Sequence, residues 1–308
     1  MSGLRRIALV GRGIIGASWA LVFARAGRTV SVWEREGPGE STRARVANLV
    51  RNLRGTGLEG DAGTLDRIVV SLTLEQALEG ADYVQESVRE DIGIKRDLFS
   101  RIEPLISPGT IVASSTSGIV PGRLSDAFRN PERFLVVHPL TPPHVLPITE
   151  VCASVATNAE TVAATEAMLV EVGQRPMRVH AELDGFVLNR ILGAVLNEIF
   201  ALIRDGALAP EDVDAALTEG FGLRWAAIGP LAAMQLNAPG GVREYLKRYG
   251  HIFSAAAQSR GARSALDDAV IEQVGAAVDR MMAQGDATAL AAARDRSIAM
   301  IRKARSAR

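Results

Sequence analysis

The chain has 308 residues, 47% of them hydrophobic, which is ample for two packed domains. Lys+Arg and Asp+Glu both number 35, and this balance argues against a nucleic-acid face or an acidic-lipid surface. The single cysteine, Cys152, excludes an internal disulfide and any multi-cysteine metal centre, and it suits a reducing compartment.

The first element is an apolar strand, Ile7 to Val10, running into Gly11-Arg12-Gly13-Ile14-Ile15-Gly16. A helical pattern covers 17–26, Gly27 ends it, and a second apolar run at 29–33 leads to Glu34-Arg35. Dinucleotide binding needs that order. Gly11 permits the tight turn, Gly13 lets the backbone approach a pyrophosphate, and Gly16 lets helix and strand pack closely. The helix start at Ile14, Ile15 and Gly16 offers unpaired N–H groups and a partial positive charge to phosphate. Glu34, 23 residues beyond Gly11, can accept hydrogen bonds from ribose hydroxyls and would repel a 2′-phosphate, so NAD is expected over NADP. Arg35 pulls the other way, since a guanidinium can hold such a phosphate. Arg5-Arg6 before an apolar run resembles an export signal, but the glycine turn and Arg12 interrupt it. With no other run of membrane-spanning length, a cytoplasmic protein with no membrane partner is expected.

Further along, apolar runs at 67–71, 82–87, 110–114, 134–138, 147–151 and 175–179 read as strands. Helical patterns at 39–54, 74–79, 94–106 and 159–173 lie between them. Such alternation predicts an α/β fold, a Rossmann-type, mostly parallel, doubly wound sheet. From residue 184 only helical periodicity remains, at 186–204, 210–220, 230–237, 241–249, about 264–282 and 287 onward. The expected domains are therefore 1–183, binding NAD, and an all-α C-terminal domain, 184–308.

A nucleotide fold names a cofactor and not a reaction. Two candidate groups follow strands: Ser114-Ser115-Thr116-Ser117-Gly118, and His138 before Pro139. Oxidising an alcohol requires a base for the hydroxyl proton and a donor to steady the oxygen as it becomes a carbonyl. Histidine suits the first role, with Glu150 as a carboxylate to fix its tautomer, and a serine hydroxyl suits the second. Taken singly, each has a plainer reading. A histidine at a strand end is more often structural, a Ser/Thr-rich turn is more often a helix cap, and Gly185-Phe186-Val187-Leu188-Asn189-Arg190 reads simply as a helix start.

Together the spacings resemble the L-3-hydroxyacyl-CoA dehydrogenase superfamily. They run 21 residues from Ser117 to His138, 12 from His138 to Glu150, and 51 from His138 to Asn189. The resemblance implies that His138 is the catalytic acid/base paired with Glu150, that Ser117 bonds the reacting oxygen, and that Asn189 completes the polar pocket. It implies Glu90 beside the nicotinamide, with Ser115 in the cofactor set, and a homodimer formed through the helical half. In the second half, Glu219 to Leu231 and Leu236-Asn237-Ala238-Pro239-Gly240 look most like the lambda-crystallin and L-gulonate 3-dehydrogenase branch. Carnitine dehydrogenases share its Gly-Leu-Arg-Trp element.

Arg224 has two readings, a bidentate grip on the carboxylate of a small hydroxy acid or a bond to a helix end or partner. Trp225 reads as packing. The leading expectation is NAD-dependent oxidation of the 3-hydroxyl of a small hydroxy acid, with no metal. The alternatives are a 3-hydroxyacyl-CoA dehydrogenase, with Arg43, Arg45, Arg51 and Arg54 facing the CoA phosphates, a carnitine dehydrogenase, or a non-catalytic NAD-binding crystallin.

Overall fold

A computed structural model describes residues 3–34, 40–260, 267–282 and 287–306. The chain divides into two compact units, Met1–Arg190 with Ala291–Lys303, and Ile191–Leu290 with Ala304–Arg308.

The first unit opens with β1 (Arg6–Val10), α1 (Ile14–Arg25), β2 (Thr29–Trp33), α2 (Thr42–Asn52), β3 (Ile68–Ser71) and α3 (Leu74–Leu78). It continues with β4 (Tyr83–Glu86), α4 (Ile92–Ile102), β5 (Ile111–Ser114), α5 (Gly122–Ser125), β6 (Phe134–Pro139), β7 (Ile148–Ala153), α6 (Ala159–Glu171) and β8 (Arg175–Val179). Ser41, Thr73, Asp91 and Asn158 begin α2, α3, α4 and α6, each side chain accepting the backbone N–H three residues on. Helix α1 is different. Its N-cap is Gly13, no side chain caps it, and its first turn holds no acid.

The strands form one sheet of order β3-β2-β1-β4-β5-β6-β7-β8. Neighbours are parallel except β6 and β7, which are joined by a connection too short for a crossover. Alternate residues of β1 serve opposite faces. Ile7 and Leu9 join Trp19, Phe23 and Val46, while Ala8 and Val10 join Leu98, Phe99 and Phe134. A sheet covered on both faces is the doubly wound arrangement expected from the alternating runs. Strand order reverses between β1 and β4, which opens a crevice at their carboxyl ends.

The remaining helices are α7 (Leu188–Arg204), α8 (Pro210–Ala215), a π-helical turn (Ala216–Gly222), α9 (Leu223–Ala227), α10 (Pro230–Leu236), α11 (Gly241–Arg260), α12 (Asp268–Met282) and α13 (Ala287–Ser306). No strand occurs among the described residues beyond β8. Helix α11 extends well past the 241–249 read from periodicity, and the expected start of α12 near 264 lies outside the described residues. Within the second unit, Arg280 of α12 pairs with Glu211 of α8. Among the described residues its buried apolar side chains are few and small, chiefly Ala201, Ala233, Ala238 and Ala277 with Ile203 and Val270, whereas Leu231 and Leu236 are 72% and 74% exposed. Among the described residues no helix is long and apolar enough to cross a membrane.

The packing of α13 adds what a single boundary at 183/184 leaves out. Residues Ala291–Lys303 belong with the first unit. Ala299 joins the apolar cluster that contains Trp19 and Phe23. Asp295 Oδ2 lies 3.0 Å from His144 Nε2, and His144 Nδ1 lies 2.9 Å from Ser18 Oγ on α1. Arg302 donates to the carbonyls of Val145 (3.0 Å) and Gly173 (3.1 Å).

Candidate active site

The crevice begins at the glycine turn. Gly11 has φ +125°, and a Cβ there would fall 2.5 Å from the carbonyl oxygen of Ser87. A Cβ on Gly16 would fall 1.8 Å from the Gly11 carbonyl oxygen. A Cβ on Gly13 would meet nothing within 4 Å. The protein's own packing thus demands two of the glycines, and the third faces open space. With α1 uncapped and Ile14 71% exposed, the first N–H groups of that helix are free to bind an anion. The turn fits a dinucleotide pyrophosphate.

Glu34, buried at the end of β2, accepts the N–H of Thr42 through Oε1, which leaves Oε2 for a ribose hydroxyl. Arg35 lies outside the described residues. Arg45 reaches back from α2 to donate to the carbonyl of Arg12 at 3.2 Å. Ser115 does not present a free hydroxyl. Its Oγ lies 3.2 Å from Trp19 Nε1, 2.8 Å from Gln85 Nε2 and 2.9 Å from Ser87 Oγ. Two N–H donors fill its lone pairs, so its own proton goes to Ser87, and Ser115 supports the cofactor crevice from behind.

Glu90 sits at the next strand end. Its Oε1 accepts the Thr116 hydroxyl and the backbone N–H groups of Ser117 (3.0 Å) and Gly118 (3.1 Å). Lys95 lies 3.4 Å from Glu90 Oε2 and donates to Glu86 Oε1 at 2.8 Å. Both Lys95 and Glu86 are buried, and Ser114 Oγ donates to the other oxygen of Glu86. Burial pushes the Glu86 carboxyl above the ordinary range, although Lys95 and Ser114 work against it. Burial also opposes ionisation of Glu90, but the Thr116 hydroxyl, the Lys95 charge and the two N–H groups outweigh it and hold that carboxyl low. One ammonium thus secures a carboxylate that grips the Ser117 loop. Sequence reading missed Lys95 and Glu86, yet a signal existed. Lys95, Leu98, Phe99 and Ile102 share the buried stripe of α4, where a lysine is out of place.

His138 and Glu150 are directly opposite in the antiparallel β6–β7 register. His138 Nδ1 lies 2.7 Å from Glu150 Oε2, with both side chains buried. Glu150 Oε1 accepts the N–H groups of Val187 (2.7 Å) and Leu188 (3.0 Å) at the start of α7. Burial raises the Glu150 carboxyl, but the His138 bond and the Leu188 and Val187 N–H groups prevail and hold it below the ordinary carboxylate range. An ionised carboxylate only accepts, so Nδ1 carries a proton, and in the neutral ring the lone pair lies on Nε2. Nε2 has no partner among the described residues.

The stretch from Gly185 to Arg190 roofs this pair. Gly185 (φ +76°) and Phe186 (φ +51°) are both left-handed, and the two turn the following N–H groups onto Glu150. The Phe186 ring packs 5.5 Å from the His138 ring. Asn189 Nδ2 donates to the Ser117 carbonyl at 2.7 Å, which ties the serine loop to the same roof. The Ser117 hydroxyl is exposed and bonds to no described residue. Arg224 belongs to the second unit, where its guanidinium lies 5.3 Å from the Phe221 ring and Phe221 stacks on Trp225.

The model of the 3-hydroxyacyl-CoA dehydrogenase NAD binding domain matches residues 6–182, and that of the C-terminal domain matches 185–285. Lambda-crystallin of Oryctolagus cuniculus is 33% identical over 278 residues, 88% of this chain and 86% of that one. L-carnitine dehydrogenase of Streptomyces coelicolor is 33% identical over 306 residues, 98% of this chain and 95% of that one. The solved structure of 5-formyl-3-hydroxy-2-methylpyridine 4-carboxylic acid 5-dehydrogenase, an NAD+ dependent dismutase, has a TM-score of 0.84 and 31% identity and covers 99% of both chains.

Proposed function

This chain belongs to the 3-hydroxyacyl-CoA dehydrogenase family of NAD-dependent oxidoreductases, and on that premise we propose that it oxidises the 3-hydroxyl of a small hydroxy acid, as an L-gulonate 3-dehydrogenase does. The observation that carries the reading is the buried His138–Glu150 pair with its unengaged Nε2. NAD, when bound, supplies the hydride acceptor. His138 Nε2 takes the hydroxyl proton, and Glu150 stabilises the imidazolium that results. Ser117 Oγ donates to the oxygen as it becomes a carbonyl. Asn189 and Glu90 hold the Ser117 loop from opposite sides, so the donor is placed before substrate arrives. The Phe186 ring packs against the His138 imidazole and limits its rotation.

A free acid is favoured over a thioester for two reasons. Two relatives are named for small free molecules, L-carnitine and a pyridine carboxylic acid. Three of the four arginines available for CoA phosphates are engaged: Arg43 with Asp66, Arg45 with Arg12 and Arg51 with Asn48. Arg224 enters on chemical grounds alone, as a guanidinium suited to a carboxylate. The apolar side chains exposed on the second unit are ascribed to a homodimer, which sedimentation would test. The decisive assay follows NADH formation with L-gulonate, L-carnitine and other 3-hydroxy acids beside 3-hydroxybutyryl-CoA. Turnover confined to the thioester would replace this reading with the acyl-CoA one.

A further inference from the structure

The hydrogen bonds behind the crevice have a direction. Tyr83 Oη donates to Gln85 Oε1 at 2.6 Å, and Gln85 Nε2 faces both Ser115 Oγ (2.8 Å) and the Val137 carbonyl (3.4 Å). A carbonyl only accepts, which fixes that end of the amide as its NH2. Trp19 Nε1, a donor only, also points at Ser115 Oγ. With both lone pairs filled, Ser115 must give its proton to Ser87 Oγ, 2.9 Å away. The Ser87 hydroxyl therefore cannot point its own proton back at Ser115. No described residue accepts that proton.

Ser87 stands where this proton has a use. Its N–H bonds the Val10 carbonyl at 2.7 Å, and its carbonyl lies against Gly11. It is thus at the carboxyl ends of β1 and β4, where strand order reverses. A pyrophosphate above Gly13 and an adenosine ribose at Glu34 on β2 send the other half of the dinucleotide over β4 and β5 toward His138 on β6.

We propose that the Ser87 hydroxyl is a cofactor-binding group, donating to the ribose on the nicotinamide half of NAD, with Tyr83, Gln85, Trp19 and Ser115 orienting it. The proposal rests on the NAD reading above. Calorimetric titration of the full chain with ADP, ADP-ribose and NAD tests it. Ser87→Ala should leave the ADP affinity unchanged and weaken ADP-ribose and NAD alike by about fivefold, roughly 1 kcal/mol. Ser87→Cys keeps the volume with a much weaker donor and should show the same pattern, which secures the result if the alanine variant unfolds. Unaltered ADP-ribose and NAD affinities in a folded variant overturn the proposal, as does an equal loss with ADP. A wild type that binds none of the three ligands removes the cofactor premise itself, and the proposal with it.

Discussion

Replacing Glu150 with Gln tests the acid/base pair without altering its shape. Glu150 Oε1 accepts two backbone N–H groups, from Val187 and Leu188, which can only donate. A glutamine must therefore turn its carbonyl toward them and present its NH2 to His138 Nδ1. Nδ1 then becomes the acceptor, and the ring proton moves to Nε2. That is the nitrogen required to be unprotonated, so the variant holds the wrong tautomer in an otherwise intact site. Losing a positioned base costs about 10²- to 10⁴-fold in rate, or roughly 2.7–5.4 kcal/mol of barrier. Steady-state NADH formation from the substrate that wild type accepts should show this fall in kcat, with the KM for NAD little changed. A variant within about threefold of wild-type kcat would refute the tautomer argument.

Three further outcomes are expected. His138→Ala or Ser117→Ala should each cut turnover by at least about a hundredfold with little change in NAD affinity, measured by pairing rate assays with titration. Lys95→Met strands the buried Glu86 carboxylate and should cost about 3–5 kcal/mol in urea unfolding at neutral pH. Because burial already raises the folded-state Glu86 carboxyl, the ionised form is the costly one, so this deficit should shrink as pH falls through its folded value. For Asp295 the sign is opposite. Burial raises it, but the His144 bond and Arg294 prevail and hold it below its ordinary value. Its stabilisation is complete above the unfolded pKa near about 3.9 and is lost as pH falls through the lower folded one. Asp295→Asn should therefore lower stability by about 1–3 kcal/mol at neutral pH, and urea midpoints of variant and wild type should converge as pH falls through the folded value.

The parts of this fold that were legible were those with a local signature. The glycine turn declares itself, because the positive φ of Gly11 and the close approach of Gly16 to the Gly11 carbonyl are decided within a few residues. The strand and helix alternation follows from which side chains must be covered. His138, Glu150, Ser117 and Asn189 could be picked out only through their combined spacing, since each residue type alone is commonplace. What could not be read was how β6 and β7 pair. The facing of His138 and Glu150 depends on an antiparallel register set by the 140–147 connection. The support groups were equally hidden. Ser115 was expected among the cofactor ligands, and its hydroxyl is a saturated bridge whose partners come from two other places in the chain, Trp19 on α1 and Gln85 with Ser87 at the end of β4. The role of Phe186 rests on a left-handed backbone that no non-glycine residue advertises. Asp295, 151 residues from His144, has no sequence signal at all.

The returning last helix also constrains how the protein can be made and cut. A growing chain presents His144, Val145 and Gly173 well before their partners Asp295 and Arg302 on α13 are synthesised. The nucleotide-binding half therefore waits, with a polar seam open, until α13 leaves the ribosome and docks. An attempt to express residues 1–183 by themselves would amputate that seam, and a bulky fusion between 291 and 303 would wedge it apart.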